Sequence, residues 1–249
     1  AAALSRLYAN GAREALSHLR ALVPEEHPFF MENVSSPALY IVFTSDRGLA
    51  GAYTTNVLKE MIKAVGSEPQ AKLIIIGKRG GQLLARLTHS FDIIGIYNSW
   101  QHHPTIAEIS PIARTAMKLF QEKTIGRVVL VYTDFHSLSS QETTSRTILP
   151  VPMRDTPDVY RLRDETISLE PSAHELLEYI VPRFVEVQVF QASIESAASE
   201  HASRMVAMHN ASDNASDVID SLTLEYNGAR QAGVTAELAE ISAGAEAIL

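Results

Sequence analysis

Few segments of this chain carry residue types that could do chemistry. Gly77-Lys78-Arg79-Gly80-Gly81 follows an apolar run and opens a helical pattern. Backbone N–H groups at such a helix start can cradle a phosphate. The spacing, however, is neither G-x-x-x-x-G-K-[ST] nor G-x-G-x-x-G. The segment therefore reads as a tight strand-to-helix turn. Asp46-Arg47-Gly48 is open to two readings, a structural turn or a direct contact with a partner. His102-His103, His136, His201 and His209 are the candidate metal ligands, and none are four apart as a helical zinc pair requires. Asp134 and His136 stand close together but lack a third ligand nearby, so no metal is expected. Asp213, Asp217 and Asp220 share one helix face, which reads as solvated or as meeting basic groups of a partner. The chain has no Cys. Disulfides, thiolate metal sites and cysteine nucleophiles are thereby excluded. No base–nucleophile pattern is present, so no catalytic residue and no cofactor are expected.

Composition narrows the class further. Hydrophobic residues make up 46% and charged residues 20% of 249 residues, which suits a packed core. A formal net charge of −8 argues against a nucleic-acid partner. No apolar run approaches the roughly 20 residues of a membrane span. The chain opens Ala1-Ala2-Ala3-Leu4, with neither Met nor a basic segment. That start is expected to lie partway into a helix and not to be a signal peptide.

The elements that must position these residues follow from periodicity. Leu4, Leu7, Tyr8, Ala12, Ala15, Leu16, Leu19 and Leu22 predict a helix over residues 1–23, closed by Pro24 and Pro28. Strands are predicted at 38–43, 72–77, 91–97, 127–133 and 143–151, with helices at 53–65, 80–88 and 104–123. This alternation implies an α/β domain with a largely parallel sheet. The last two strands have no helix between them, which implies one antiparallel edge pair. Residues 153–171, in a stretch rich in proline and charge, read as a connector. From Ser172 onward everything is helical in pattern. Ala198, Ala202, Met205, Met208, Ser212, Ala215, Ile219, Leu222, Tyr226, Ala229, Gly233 and Ala236 form a stripe at three- and four-residue steps, mostly small and apolar. About 70 helical residues would reach roughly 100 Å at about 1.5 Å per residue. That exceeds the width of a domain this size, so the helix is expected to project and to need a partner.

Several motifs resemble one family in order along the chain. Thr44-Ser45-Asp46-Arg47-Gly48-Leu49-Ala50-Gly51 is similar to the SDRGLCG loop of ATP synthase gamma subunits. Tyr132-Thr133-Asp134-Phe135 and Thr147-Ile148-Leu149-Pro150 resemble a later strand pair. Ser199-Glu200-His201-Ala202-Ser203-Arg204-Met205-Val206-Ala207-Met208 is similar to SEHAARMVAM, and Val234-Thr235-Ala236-Glu237-Leu238 to the ITQEL ending. Ala211-Ser212-Asp213-Asn214-Ala215, Tyr226-Asn227 and Ala229-Arg230-Gln231-Ala232 fall between them.

The resemblance implies a Rossmann-like, mostly parallel sheet domain plus long antiparallel coiled-coil helices formed by the two termini. The organisation expected is a remnant of the N-terminal shaft helix at 1–34, an α/β foot at 35–152, the connector at 153–171 and the C-terminal shaft helix at 172–249. It implies a non-catalytic central-stalk rotor that couples proton-driven rotation of a c-subunit ring to the alpha and beta subunits, with an epsilon subunit at the foot. The membrane would be reached only through partners, on the cytoplasmic face of a bacterial inner membrane. Arg230, Gln231, Thr235 and Glu237 match positions that meet an acidic catch loop of the stator. Asp46, Arg47, Ile167, Leu169 and Glu170 match the foot contacts. Relatives carry further residues before the position of Tyr8, so part of the N-terminal helix is expected to be missing and the C-terminal tip unpaired. Two other readings stay open: an α/β enzyme or nucleotide binder with a helical appendage, and a generic coiled-coil adaptor.

Overall fold

The computed structural model describes residues 28–66, 68, 70–86, 91–98, 104–138, 140–152 and 173–246. The first expected helix, the connector and the histidines at 102 and 103 lie outside these residues. The chain divides into two compact units, Ala1–Arg204 and Met205–Leu249.

The first unit is built on five strands: β1 Ala38–Phe43, β2 Lys72–Ile76, β3 Asp92–Tyr97, β4 Arg127–Phe135 and β5 Gln141–Leu149. Their order in the sheet is β3-β2-β1-β4-β5. β1 pairs parallel with β2 and β4, and β2 pairs parallel with β3. β4 and β5 form the antiparallel pair expected from their missing crossover helix. The short β4–β5 connection folds back on itself, with Ser137 N–H donating to Ser140 O at 2.9 Å. β5 therefore starts two residues earlier than its composition suggests.

Both faces of the sheet are covered, which is why all six residues of β1 are buried. Leu39, Ile41 and Phe43 point to one face, where they join Ile109, Ile112 and Ala116 of α3 (Ile106–Gln121). The same cluster takes in Leu177, Val181, Phe184, Val185 and Val189 of α4 (Ala173–Glu246). Ala38, Tyr40 and Val42 point the other way, against Val57, Met61 and Val65 of α1 (Tyr53–Val65). The period of two in the strands and of about 3.6 in the helices thus converge on two apolar layers.

Local signals set the helix ends. Thr105 and Glu108 close a capping box at the start of α3, with Thr105 N–H donating to Glu108 Oε2 at 2.9 Å. α2 (Lys78–Leu84) begins two residues before its predicted start, because the Asp46 carboxylate accepts from Lys78 N–H at 2.8 Å. Ser110 of α3 donates to Glu186 of α4, as does Arg183 at 2.6 Å. Burial pushes the Glu186 carboxyl upward. The bonds from Ser110 and Arg183 and the charges of Arg183 and Arg114 outweigh it, and the group sits below its ordinary value.

The second unit, within its described residues, is the remainder of α4. From Met205 to Gly244 only Ala207 and Asn227 are even partly shielded. The predicted stripe is therefore exposed over this stretch: Met205, Ile219, Leu222 and Tyr226 all face solvent.

Candidate partner-contact sites

The loop after β1 shows what the glycine-rich segment does. Thr44 N–H donates to Ile76 O at 2.7 Å, and its hydroxyl donates to the same carbonyl at 2.8 Å. A Cβ on Gly77 would stand 2.3 Å from Thr44 O, and one on Gly80 2.3 Å from Thr44 Oγ1. Gly77 also holds φ +103, a left-handed backbone that disfavours a side chain. These glycines exist so that two turns can touch. The place a phosphate would take at the start of α2 holds the Asp46 carboxylate. The structure thus resolves Gly77–Gly81 as a packing turn, as its spacing implied.

Asp46 is half-buried, and its neighbour Arg47 is exposed. Ser45 holds the loop from below: its hydroxyl donates to Arg47 O at 2.9 Å and meets Thr54 Oγ1 at 2.7 Å. Leu49 takes φ 63 and is 73% exposed. Asp46 therefore has a structural role, while Arg47, Gly48 and Leu49 are presented outward. Asp46→Ala is expected to weaken the start of α2 by about 1 kcal/mol, the usual cost of losing a cap. A shift of the urea midpoint with an unchanged slope would register it; no shift would show that the cap is not needed.

Open parallel sheets bind ligands beyond the carboxyl ends of their strands, where the strand order reverses. Here that crevice lies between β1 and β4. It is filled by the chain itself. Ser199 of α4 donates to Thr133 O at 3.3 Å, and Tyr53 OH donates to Phe43 O at 3.3 Å. Burial raises the Tyr53 phenol well above its ordinary value. α4 also carries Gln188, Gln191, Ser193, Glu195 and Ser196, all buried like Ser199. Gln191 donates to Glu195 one turn on. Sequence reading missed this polar band. Its three- and four-residue spacing was present, but such spacing in polar residues looks the same as a solvated face.

On the second unit, Arg230, Gln231, Thr235 and Glu237 are all exposed on α4. Thr235 donates back to Gln231 O at 2.8 Å. Arg230 and Glu237 are two turns apart on one face, with Gln231 and Thr235 on the adjoining one. Arg230 makes no ion pair among the described residues. It is the only Lys or Arg from Met205 to Glu246, whereas Asp213, Asp217, Asp220, Glu225, Glu237 and Glu240 stand along the same helix. Its guanidinium is free to offer a planar fork to a carboxylate. His209 approaches Asp213 at 3.7 Å. Ile167, Leu169 and Glu170 lie outside the described residues. No group of three or more His, Cys, Asp or Glu suited to a metal occurs among the described residues.

Comparison with known proteins gives a consistent result. A family model described as ATP synthase matches residues 1–248. The chain is 35% identical over 250 residues to the ATP synthase gamma chain of Brevibacillus brevis, covering 98% of this chain and 85% of that protein. It is 35% identical over 212 residues to that of Alkaliphilus metalliredigens, covering 84% and 73%. In fold it is similar to a chain of the Euglena gracilis mitochondrial ATP synthase, at TM-score 0.66 and 18% identity, covering 99% of this chain and 94% of that one. A chain of the Tetrahymena thermophila mitochondrial ATP synthase central stalk and c-ring aligns at TM-score 0.58 and 20% identity, covering 85% and 99%.

Proposed function

The chain belongs to the ATP synthase gamma-chain family, and from that premise we propose that it is a non-catalytic central-stalk rotor. Its foot domain meets an epsilon subunit and the proton-driven c ring. Its exposed helix turns inside a ring of alpha and beta subunits. The observation that carries this reading is the change in α4 along its length. Through Ala202 its side chains are built into the core of the sheet domain, and from Met205 they are exposed. Val218, Ile219, Leu222 and Tyr226 share one face of the helix, Leu224 lies on the opposite side, and all five are more than half exposed. An exposed apolar face of this kind gains by being covered.

The filled crevice beyond β1 and β4 supports the non-catalytic role, and it disfavours a nucleotide-binding enzyme. The shaft makes and breaks no bond; it changes which beta site is open by its angle. Arg230, Gln231, Thr235 and Glu237 act as a transient latch on an acidic stator loop. Arg47 is presented to a neighbour at the foot, and Ile167, Leu169 and Glu170 are assigned there by resemblance. No helix among the described residues is long and apolar enough to cross a membrane. The membrane contact, on the cytoplasmic face of a bacterial inner membrane, is made by partners.

The test is reconstitution of the full chain with alpha and beta subunits, followed by Arg230→Ala. A charge-assisted hydrogen bond contributes about 1.5–3 kcal/mol, so on the order of a tenfold loss of coupled ATPase is expected. Arg230→Lys keeps the charge but loses the fork, and an intermediate loss is expected. Unchanged rotation and coupling in Arg230→Ala would exclude the latch. Failure to copurify with alpha and beta would exclude the rotor.

A further inference from the structure

α3 and α4 flank a cleft of about 430 Å³, on the side of the sheet domain away from α1 and α2. That volume lies within the roughly 300–1,000 Å³ of small-molecule sites. The lining residues recur at three- and four-residue steps on both helices, so each helix turns one face to the cleft. Ala113, Met117 and Pro182 supply its apolar surface. Ala113 and Met117 also belong to the core cluster, so the packing of the sheet fixes this floor in place.

The charges around the floor differ in what they have left to give. Glu186 is already engaged, because Ser110 donates to it and Arg183 donates to it at 2.6 Å. Arg183 directs one of the five N–H donors of a guanidinium to that bond. The Arg114 guanidinium lines the same cleft and makes no ion pair and no hydrogen bond among the described residues. Lys118, one turn further along α3, approaches Glu122 at 3.9 Å. Glu178 is the other carboxylate of the lining. Three cations thus stand over two carboxylates, one of which is already satisfied. Tyr179, 70% exposed, stands beside Arg183 and adds an aromatic ring to the rim.

We infer that this cleft is a binding site for a small amphipathic anion, a phosphate or carboxylate carried on a flat apolar body. Arg114 and Arg183 take the head, since a guanidinium offers paired N–H groups to either oxyanion. Ala113, Met117, Pro182 and the Tyr179 ring take the body. A ligand so held bridges the two helices beside the bond from Ser110 to Glu186, and ties the first turns of α4 more firmly to α3. The site lies within the first unit and stands apart from the rotor reading.

Titration of the full chain with phenyl phosphate tests it, followed by the resonances of isotope-labelled methionine methyl groups. Met117 lines the cleft, whereas Met61 is buried on the opposite face of the sheet and Met205 belongs to the second unit. A saturable shift at Met117 is expected, with Met61 and Met205 unmoved. Inorganic phosphate lacks the body and phenol lacks the head, and each is expected to bind at least tenfold more weakly. Arg114 is exposed, so Arg114→Ala is expected to keep the urea midpoint of the chain. It is expected to weaken phenyl phosphate at least tenfold, as the loss of a charge-assisted bond requires, with part of the loss restored in Arg114→Lys. The comparison of the three probes on the wild-type chain needs no variant. No saturable shift at Met117, or equal shifts at Met61, overturns the inference. Inorganic phosphate bound as tightly as phenyl phosphate reduces the cleft to a general anion contact and overturns it as well, as does unchanged affinity in Arg114→Ala.

Discussion

Gly80→Ala is expected to destabilise the sheet domain by about 3 kcal/mol, the upper end of the cost of overpacking. The added Cβ would stand 2.3 Å from Thr44 Oγ1, 2.7 Å from its Cγ2 and 2.9 Å from its Cβ. Thr44 has little room to yield, since its hydroxyl is bonded to Ile76 O at 2.8 Å and reaches Gly77 O at 3.1 Å. Intrinsic propensity points the other way, because Ala is the better helix former by about 1 kcal/mol. The clash must win if the loop and α2 pack this closely. Thr44→Ala removes two of the three offending atoms. The double variant is therefore expected to recover part of the loss, with a coupling of about 1–2 kcal/mol in urea unfolding. Gly228, on the distal part of α4, serves as the control, because a Cβ added there would meet nothing within 4 Å. There Ala is expected to be neutral or mildly stabilising. A Gly80→Ala protein as stable as wild type would show that the contact between the loop and α2 is not close.

Phe184→Ala is expected to cost about 3–5 kcal/mol, the range for removing a buried aromatic ring. Phe184 is 2% exposed and sits in the cluster that joins α4 to the sheet, beside Val181 and Val185. Loss of the ring leaves a cavity between helix and sheet that these neighbours fill only in part. Phe184→Leu keeps most of the volume and is expected to cost about 1.5 kcal/mol. The cost should fall on one place. Exchange of α4 amides at residues 177–192 is expected to accelerate more than that of β1. Equal acceleration everywhere would mean that the helix and the sheet open only together. In an assembled complex the same variant is expected to reduce coupling, since under the proposed function this cluster is what ties the shaft to the foot.

Much of the architecture is legible in the residue pattern. Ala38–Phe43 and Lys72–Ile76 are short apolar runs rich in strand formers, and both are strands. The apolar positions of Tyr53–Val65 recur as a helix requires, and that helix has the bounds read from the pattern. The antiparallel pair β4–β5 follows from the absence of a crossover. Each of these rests on local information, on backbone preference or the spacing of apolar side chains.

What is not legible depends on contacts between distant residues. Ile93–Tyr97 has the composition of a buried strand, yet it lies at an edge and is alternately exposed. Strand order, which crossovers decide, puts it there. Ser199, in the polar band of α4, is buried and meets Thr133, 66 residues away, at the end of the sheet. No periodicity distinguishes that from a wet face.

The motifs that could have done chemistry divide along the same line. By itself the sequence determined the family, through the order and spacing of its motifs. It also ruled out thiol chemistry and left the glycine-rich segment without a phosphate-binding spacing. Only the tertiary structure decided why those glycines are there and what occupies the crevice beyond β1 and β4. A glycine's purpose depends on which backbone comes close to it, and a crevice is open or filled according to which helix crosses it. Both are matters of three-dimensional approach, set by the packing of α2 on the first loop and of α4 across the sheet.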